Sequence, residues 1–271
     1  MFAGAAFTDQ ADIKVKDEVV DTLVELGVIE GFEDGSFQPN ATVTRAQMAK
    51  MIYVLRTGNS DASAYNDDKT SFTDIGSHWA RGYIKYCQSL GIIAGKSNTI
   101  FAPNATVTAQ EAAKMLLVTL GYDAQKAGLV GSGWASKTNA LADENGLLDD
   151  VNTSFTAACP RQYAAQILYN ALDMERVVWS NDIEDFKPAT DVKDDKTIGG
   201  KYMDLVKTDA AQLLSVEKTS GKDTYEITLG KAVKYGDGTN TKAKFDKVPT
   251  DVADMIGLNV KVLVKAKANG D

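Results

Sequence analysis

Apolar residues recur at three- and four-residue spacing along the first two-thirds of the chain and at alternate positions beyond it. Val15, Val19, Val20, Leu23, Val24 and Leu26 make one helical stripe, and Gly27 stands where a left-handed cap closes a helix. Met48, Met51, Ile52 and Leu55 make a second stripe. Trp79, Tyr83, Cys87 and Leu90, closed by Gly91, make a third; Ala112, Met115, Leu116 and 118–120 a fourth; and Ala164, Ile167, Leu168 and Leu172 another. These Met and Leu positions read as core. The 57–71 stretch is rich in Ser, Asp and Asn and predicts an exposed connection, and 182–196 is polar, contains Pro188 and reads as a linker. After it, 201–206, 212–218, 223–229 and 259–265 alternate as strands do, with Ser220-Gly221 a candidate hairpin turn.

The helical part is built from copies of one unit. Phe7-Thr8-Asp9, Leu26-Gly27-Val28-Ile29 and Phe37-Gln38-Pro39-Asn40-Ala41-Thr42-Val43-Thr44 return as Phe72-Thr73-Asp74, Leu90-Gly91-Ile92-Ile93 and Phe101-Ala102-Pro103-Asn104-Ala105-Thr106-Val107-Thr108. From Gly27 to Gly91, and from Arg45 to Ala109, the offset is 64 positions. A more divergent third copy keeps Trp134-Ala135, Asn145-Gly146-Leu147-Leu148, Phe155 and a helix opening at Pro160-Arg161-Gln162. Trp to Gly spans 12 positions in copies two and three, whereas Phe to the second helix shortens from 8 to 6, so a loop is trimmed and not a helix. Such a period argues that each unit buries its apolar face only against its neighbours.

The chemistry has few places to sit. Thr44 with Gln47, and Thr108 with Glu111, fit capping boxes that satisfy free helix-end donors. Capping does not explain Arg45, because a cation in the first helical turn opposes the helix dipole unless an anion is shared. With an anion present, the helix-start N–H groups and the guanidinium would converge on one carboxylate or phosphate. Arg161 holds the matching place in copy three and Ala109 in copy two. The alternative is an ion pair between each Arg and a neighbouring unit's Asp. Trp79 and Trp134 are stacking candidates for a sugar ring or packed core. Gly31, Gly35 and Gly95 permit either close approach to a ligand or plain turns. Asp9 and Asp74 read as caps of the first helices.

These residues resemble the S-layer homology family, with Thr44-Arg45-Ala46-Gln47 close to its Thr-Arg-Ala-Glu signature, over about residues 7–178. Copy one has Val15 in place of the Trp, copy two lacks the Arg, and copy three lacks the Phe-x-Asp opening and the Thr cap. The resemblance implies a mainly α fold: three helix-loop-helix repeats at 7–58, 72–123 and 131–178 forming a pseudo-threefold helical spindle. A linker at 182–198 and a small β domain at 199–271 would follow. It implies a secreted, non-catalytic protein of the cell surface that anchors noncovalently to an anionic cell wall glycopolymer. That polymer is a secondary cell wall polymer carrying a pyruvylated amino sugar. Arg45 and Arg161 would help hold its acidic groups in clefts between units, with Trp79, Trp134, Gly31, Gly35 and Gly95 beside them. The cleft that depends on Ala109 would be weak or silent. Other S-layer subunits are the second partner class. The competing readings are a lattice self-assembly module and the anchor of an exported polysaccharide-acting enzyme.

Bulk properties narrow the alternatives. Hydrophobic content of 44% with 24% charged residues is ordinary for a folded protein, and no apolar run approaches the roughly 20 residues of a membrane span. A net charge of −8 disfavours nucleic acid. Residues 1–198 hold 17 basic against 27 acidic side chains, so an anion must be held there by local, well-aimed donors. Residues 1–6 resemble the small-residue tail of a secretory signal. Cys87 and Cys159 form no disulfide framework and read as separate buried thiols. The single His78 has no partner at ligand spacing, so no metal, cofactor or catalytic role is expected.

Overall fold

The computed structural model describes residues 7–189, 196–235 and 240–265. The six-residue N-terminal segment that resembles a signal tail lies outside them. Three helix pairs come first: α1 (Asp17–Glu25) and α2 (Arg45–Thr57), α3 (Arg81–Ser89) and α4 (Ala109–Leu120), α5 (Trp134–Glu144) and α6 (Arg161–Leu172). Each first helix ends before a glycine at positive φ, Gly27 at 69°, Gly91 at 70° and Gly146 at 73°. The pairs interlock, because α2 packs on α3, α4 on α5, and α1 returns to α6. One continuous core results, running from Val15 to Leu205 and containing Leu23, Met48, Ile52, Ile84, Leu116, Leu117 and Leu168 at zero exposure.

The expectation of a mainly α fold does not hold. Among the described residues, eight strands in three antiparallel sheets accompany the seven α-helices, so the chain is a mixed α and β protein. Strands β1 (Val177–Ser180) and β2 (Asp185–Pro188) pair within a stretch read as repeat end and linker. Gly121, at φ 114°, lets β1 close on the end of α4; a Cβ there would lie 2.0 Å from the Val177 carbonyl oxygen. Next comes α7 (Ile198–Met203), where alternation predicted a strand. The Thr197 hydroxyl accepts from Gly200 N–H at 2.9 Å and starts the turn. Gly199 admits the Leu172 carbonyl, so α7 belongs to the helical core. Tyr202 is then held between Arg56 and Arg176, 4.6 and 5.7 Å from its ring centre.

Strands β3 (Leu205–Lys207) and β8 (Leu263–Lys265) form a two-stranded sheet. A four-stranded sheet has the order β6 (Asn240–Val248), β5 (Tyr225–Tyr235), β4 (Ala211–Lys218), β7 (Asn259–Val260). Its own core is Ala211, Leu213, Ile227, Leu229, Val233, Tyr235 and Phe245. The β4–β5 turn contains Gly221 at φ 72°. The 57–71 connection is not a free loop. Ala62 is buried, Tyr65 packs edge-on against Tyr53 and Tyr86, and Gly82 of α3 leaves room for the Ala62 carbonyl, which a Cβ would meet at 2.2 Å.

Candidate ligand-binding clefts

The three helix pairs meet at a closed ring of backbone hydrogen bonds. Val43 N–H donates to Cys159 O at 3.0 Å, Cys159 N–H to Val107 O at 2.8 Å, and Val107 N–H to Val43 O at 2.9 Å. Each of these residues stands two positions before a second helix, so the ring sets the starts of α2, α4 and α6 around one point. Capping boxes then open two of them. Thr44 Oγ1 accepts from Gln47 N–H at 3.2 Å while Gln47 Oε1 accepts from Thr44 N–H at 2.8 Å, and Thr108 and Glu111 repeat the exchange at 3.2 and 3.0 Å.

The helix-start amides are not open to an anion, contrary to the sequence-based expectation. Arg45 N–H donates to Ala105 O at 2.9 Å and Ala46 N–H to Pro103 O at 3.0 Å. Arg161 and Gln162 donate likewise to Ala41 O and Pro39 O, and Gln110 to Phe155 O. Docking between units satisfies these donors, because each second helix receives the Phe-x-Pro loop of the next unit.

The guanidinium groups follow those loops. Arg45 is only 3% exposed. Its Nε donates to Phe101 O at 2.9 Å and its Nη2 to Ala94 O at 2.6 Å, with the guanidinium carbon 4.5 Å from the Phe101 ring centre. Nη1 remains, 3.9 Å from Glu111 Oε1. Burial lowers the Arg45 pKa, opposed by the charges of Glu111 and Asp74. Arg161 donates through Nη2 to Glu30 O and lies 5.0 Å from both the Phe32 and Phe37 ring centres. Its Nε is buried without a partner, and burial pushes its pKa down to about 10. Each Arg therefore reaches from one unit into the next, the first into the second and the third into the first, and Ala109 makes no such reach.

Sequence reasoning misplaced Asp9 and Asp74. Neither caps a first helix. The Asp9 carboxylate accepts from Phe37 and Gln38 N–H, both at 2.8 Å, and Asp74 from Phe101 and Ala102 N–H at 2.9 and 2.7 Å. These paired bonds hold Gln38 and Ala102 at φ 55° and 59°, where a non-glycine residue costs roughly 1–2 kcal/mol. The neighbouring Phe7 and Phe72 rings pack on Phe37 and Phe101 at 5.3 and 5.4 Å. The joint recurrence of Phe-x-Asp and Phe-x-Pro was the signal for this clamp.

Burial raises the Asp74 pKa, but the two N–H donors and Arg45 outweigh it and hold the carboxyl below its ordinary 3.8. Glu111 is held below 4.5 in the same way, by Lys96, the Thr108 N–H and Arg45 against burial. Both carboxyls bind protons more readily in the unfolded chain. Their stabilisation is complete above their ordinary values and is lost as pH falls through the folded pKa. Stability measured by urea unfolding is expected to decline from about pH 4.5 downward. The Asp74→Asn/Glu111→Gln variant should start lower and show a flatter acid slope; an unchanged slope would remove these carboxyls from the acid response.

The remaining candidates separate. Trp79 is 55% exposed, beside the His78 and Tyr83 rings. Trp134, the first residue of α5, is half-buried with the Lys114 ammonium 5.3 Å from its ring centre. Gly31 lines an open depression of about 480 Å³ with Phe32, Glu33, Asp34 and Gln38, beside Arg161. Gly35 takes φ 80° in the turn beside Thr8. Gly95 is required by its own loop, since a Cβ would lie 2.2 Å from Ser97 O and 2.6 Å from both Ile100 O and a Phe72 ring carbon. His78 accepts from Ala80 N–H at Nδ1, which leaves Nε2–H to donate to Asn104 at 3.1 Å. Cys87 and Cys159 are free and buried, and burial pushes both thiols up to about 12. Among the described residues no helix is long and apolar enough to cross a membrane.

The S-layer homology domain model matches residues 6–49 and 71–113. A cell surface protein of Thermoanaerobacter kivui is 28% identical over 176 residues, covering 65% of this chain and 22% of that protein. A surface-layer 125 kDa protein of Lysinibacillus sphaericus is 27% identical over 258 residues, covering 83% and 20%. A cellulosome-anchoring protein of Acetivibrio thermocellus is 30% identical over 94 residues, covering 35% and 21%. The chain thus spans about a fifth of the length of these relatives. The two matched segments carry the two complete Phe-x-Asp clamps and capping boxes. By that match and by these relatives, the chain belongs to the S-layer homology domain family and is a secreted protein of the cell surface.

Proposed function

We propose that this chain is a non-catalytic anchor that attaches a surface protein noncovalently to an anionic secondary cell wall polymer, through carboxylates carried by pyruvylated amino sugars. The reading divides the anchor into repeats at 7–58, 72–123 and 131–178, a linker at 182–198 and a β domain at 199–271. One observation carries it: Arg45 and Arg161 cross from the start of a second helix into the loop of the next unit, so cations are gathered where units meet, in a chain of net charge −8. A polymer running between units would find charge there and aromatic faces at Trp79 and Trp134 nearby. The cleft that would rely on Ala109 has no equivalent donor, so ligand occupancy is expected to be unequal. The relative named as an anchoring protein supports the same direction.

The test is co-sedimentation of the chain with purified, pyruvylated wall polymer before and after mild acid removal of the ketal-linked pyruvate. Binding is expected to disappear with the pyruvate and to weaken steeply with salt. Equal sedimentation with both polymers would overturn the reading.

A further inference from the structure

Lys114 is a half-buried cation that, among the described residues, makes no ion pair and no hydrogen bond; its ammonium faces only the Trp134 ring. A desolvated charge without an acceptor costs stability unless an anion joins it. Burial lowers its pKa, and it feels both the attraction of Glu111 and the repulsion of Arg45, which places all three in one cleft. Lys96 Nζ lies 2.5 Å from Glu111 Oε1, the same oxygen that Arg45 Nη1 approaches at 3.9 Å. Three cations therefore surround one carboxylate. That carboxylate is also committed elsewhere, since its other oxygen caps α4.

The other clefts carry no such surplus. Beside Arg161, Lys50 is paired with Glu30 at 3.2 Å, and Glu33 and Asp34 line the adjoining depression. At the third junction the Arg position is Ala109. Arg45 itself has Nε and Nη2 bound to carbonyls and almost no exposed surface. Lys96, by contrast, has a 46% exposed side chain.

We propose that the cleft where the first and second units meet α5 is the principal saccharide subsite, in which Lys114 and Lys96 grip the carboxylate of an acidic sugar and Trp134 stacks on its ring. The sugar replaces the ammonium on the indole face, and the released ammonium takes the carboxylate. Arg45 is a positioning residue that holds the 94–101 loop. This subsite rests on the anchoring reading above.

The test uses the methyl glycoside of a 4,6-pyruvylated N-acetyl amino sugar, with its pyruvate-free counterpart as control, in calorimetry and in ¹H–¹⁵N spectra of the three indole N–H groups. The wild type is expected to bind only the charged sugar. Lys114→Met should weaken binding about tenfold or more, the loss of one charge-assisted bond. Lys96→Met should weaken it several-fold, and Lys50→Met should leave it unchanged. The Trp134 indole signal, assigned by its loss in Trp134→Phe, should shift while those of Trp79 and Trp179 stay in place. Wild-type affinity in Lys114→Met, or a stationary Trp134 signal at saturation, overturns the subsite and leaves the anchoring reading standing. If the wild type binds both sugars alike or neither, the anchoring reading falls with it. Should Lys114→Met fail to fold, the wild-type indole shift alone decides.

Discussion

Arg45→Met is expected to lower the unfolding free energy by about 3 kcal/mol, because it leaves two inter-unit carbonyls without their donor and opens the junction between the first two units. The carbonyls are those of Ala94 and Phe101, and the lost side chain is almost wholly buried against the Phe101 ring. The methionine keeps most of the apolar stem, so the deficit reports the guanidinium more than the volume. Arg45→Lys should fall between, since a single ammonium lacks the fork that reaches both carbonyls. Urea unfolding of the three proteins makes the comparison. A loss under about 1 kcal/mol in Arg45→Met would mean that the guanidinium does not staple the units. This test is separate from ligand binding, and it warns that an Arg45 truncation that abolishes binding is not by itself evidence of contact with sugar.

Gly95→Ala is the second large effect. The new methyl would meet two carbonyl oxygens, of Ser97 and Ile100, and the Phe72 ring, all at 2.6 Å or less. Backbone oxygens cannot swing away as a side-chain end does, so the 94–101 loop must shift as a whole. A cost of about 3 kcal/mol is expected, at the upper end for overpacking. The displaced loop carries Ala94 and Phe101, the acceptors of Arg45, and Lys96. Amide signals of the first unit should therefore move with those of the second. Gly76→Ala is the matched control, with no neighbour within 4 Å and an expected change within about 0.5 kcal/mol. Similar melting temperatures for the two variants would show that the loop absorbs a Cβ without strain.

Much of the helical region was legible because its rules are local. Helical periodicity located the stripes. Gly27 and Gly91 at positive φ, and the two capping boxes, depend on neighbours within a few positions. The β region was harder. Strand β6, rich in Lys, has too weak an alternation to be read, and 198–203 alternates yet forms α7 because Gly199 can seat against α6. The weight given to the repeats also hid β1 and β2, and with them the mixed character of the fold.

The candidate site was legible only in its membership. Arg45, Arg161 and Trp134 stood out as residues that capping and core packing left unexplained, but their partners lie far along the chain, 49 and 56 positions away for Arg45 and 131 for Arg161. Asp9 and Asp74 find theirs 27 to 29 positions away, across a loop and not at the helix beside them. Lys114 gave no signal at all, since a lysine on an amphipathic helix is ordinary until its neighbours are known.

What the residues alone determined was the repeat, the helices with their caps, the family and the inventory of charges. Only tertiary packing decided where those charges act. A polar side chain takes whichever donor or acceptor docking brings to it, and here docking between units filled the helix-start amides, turned two arginines onto carbonyls and left Lys114 without an anion.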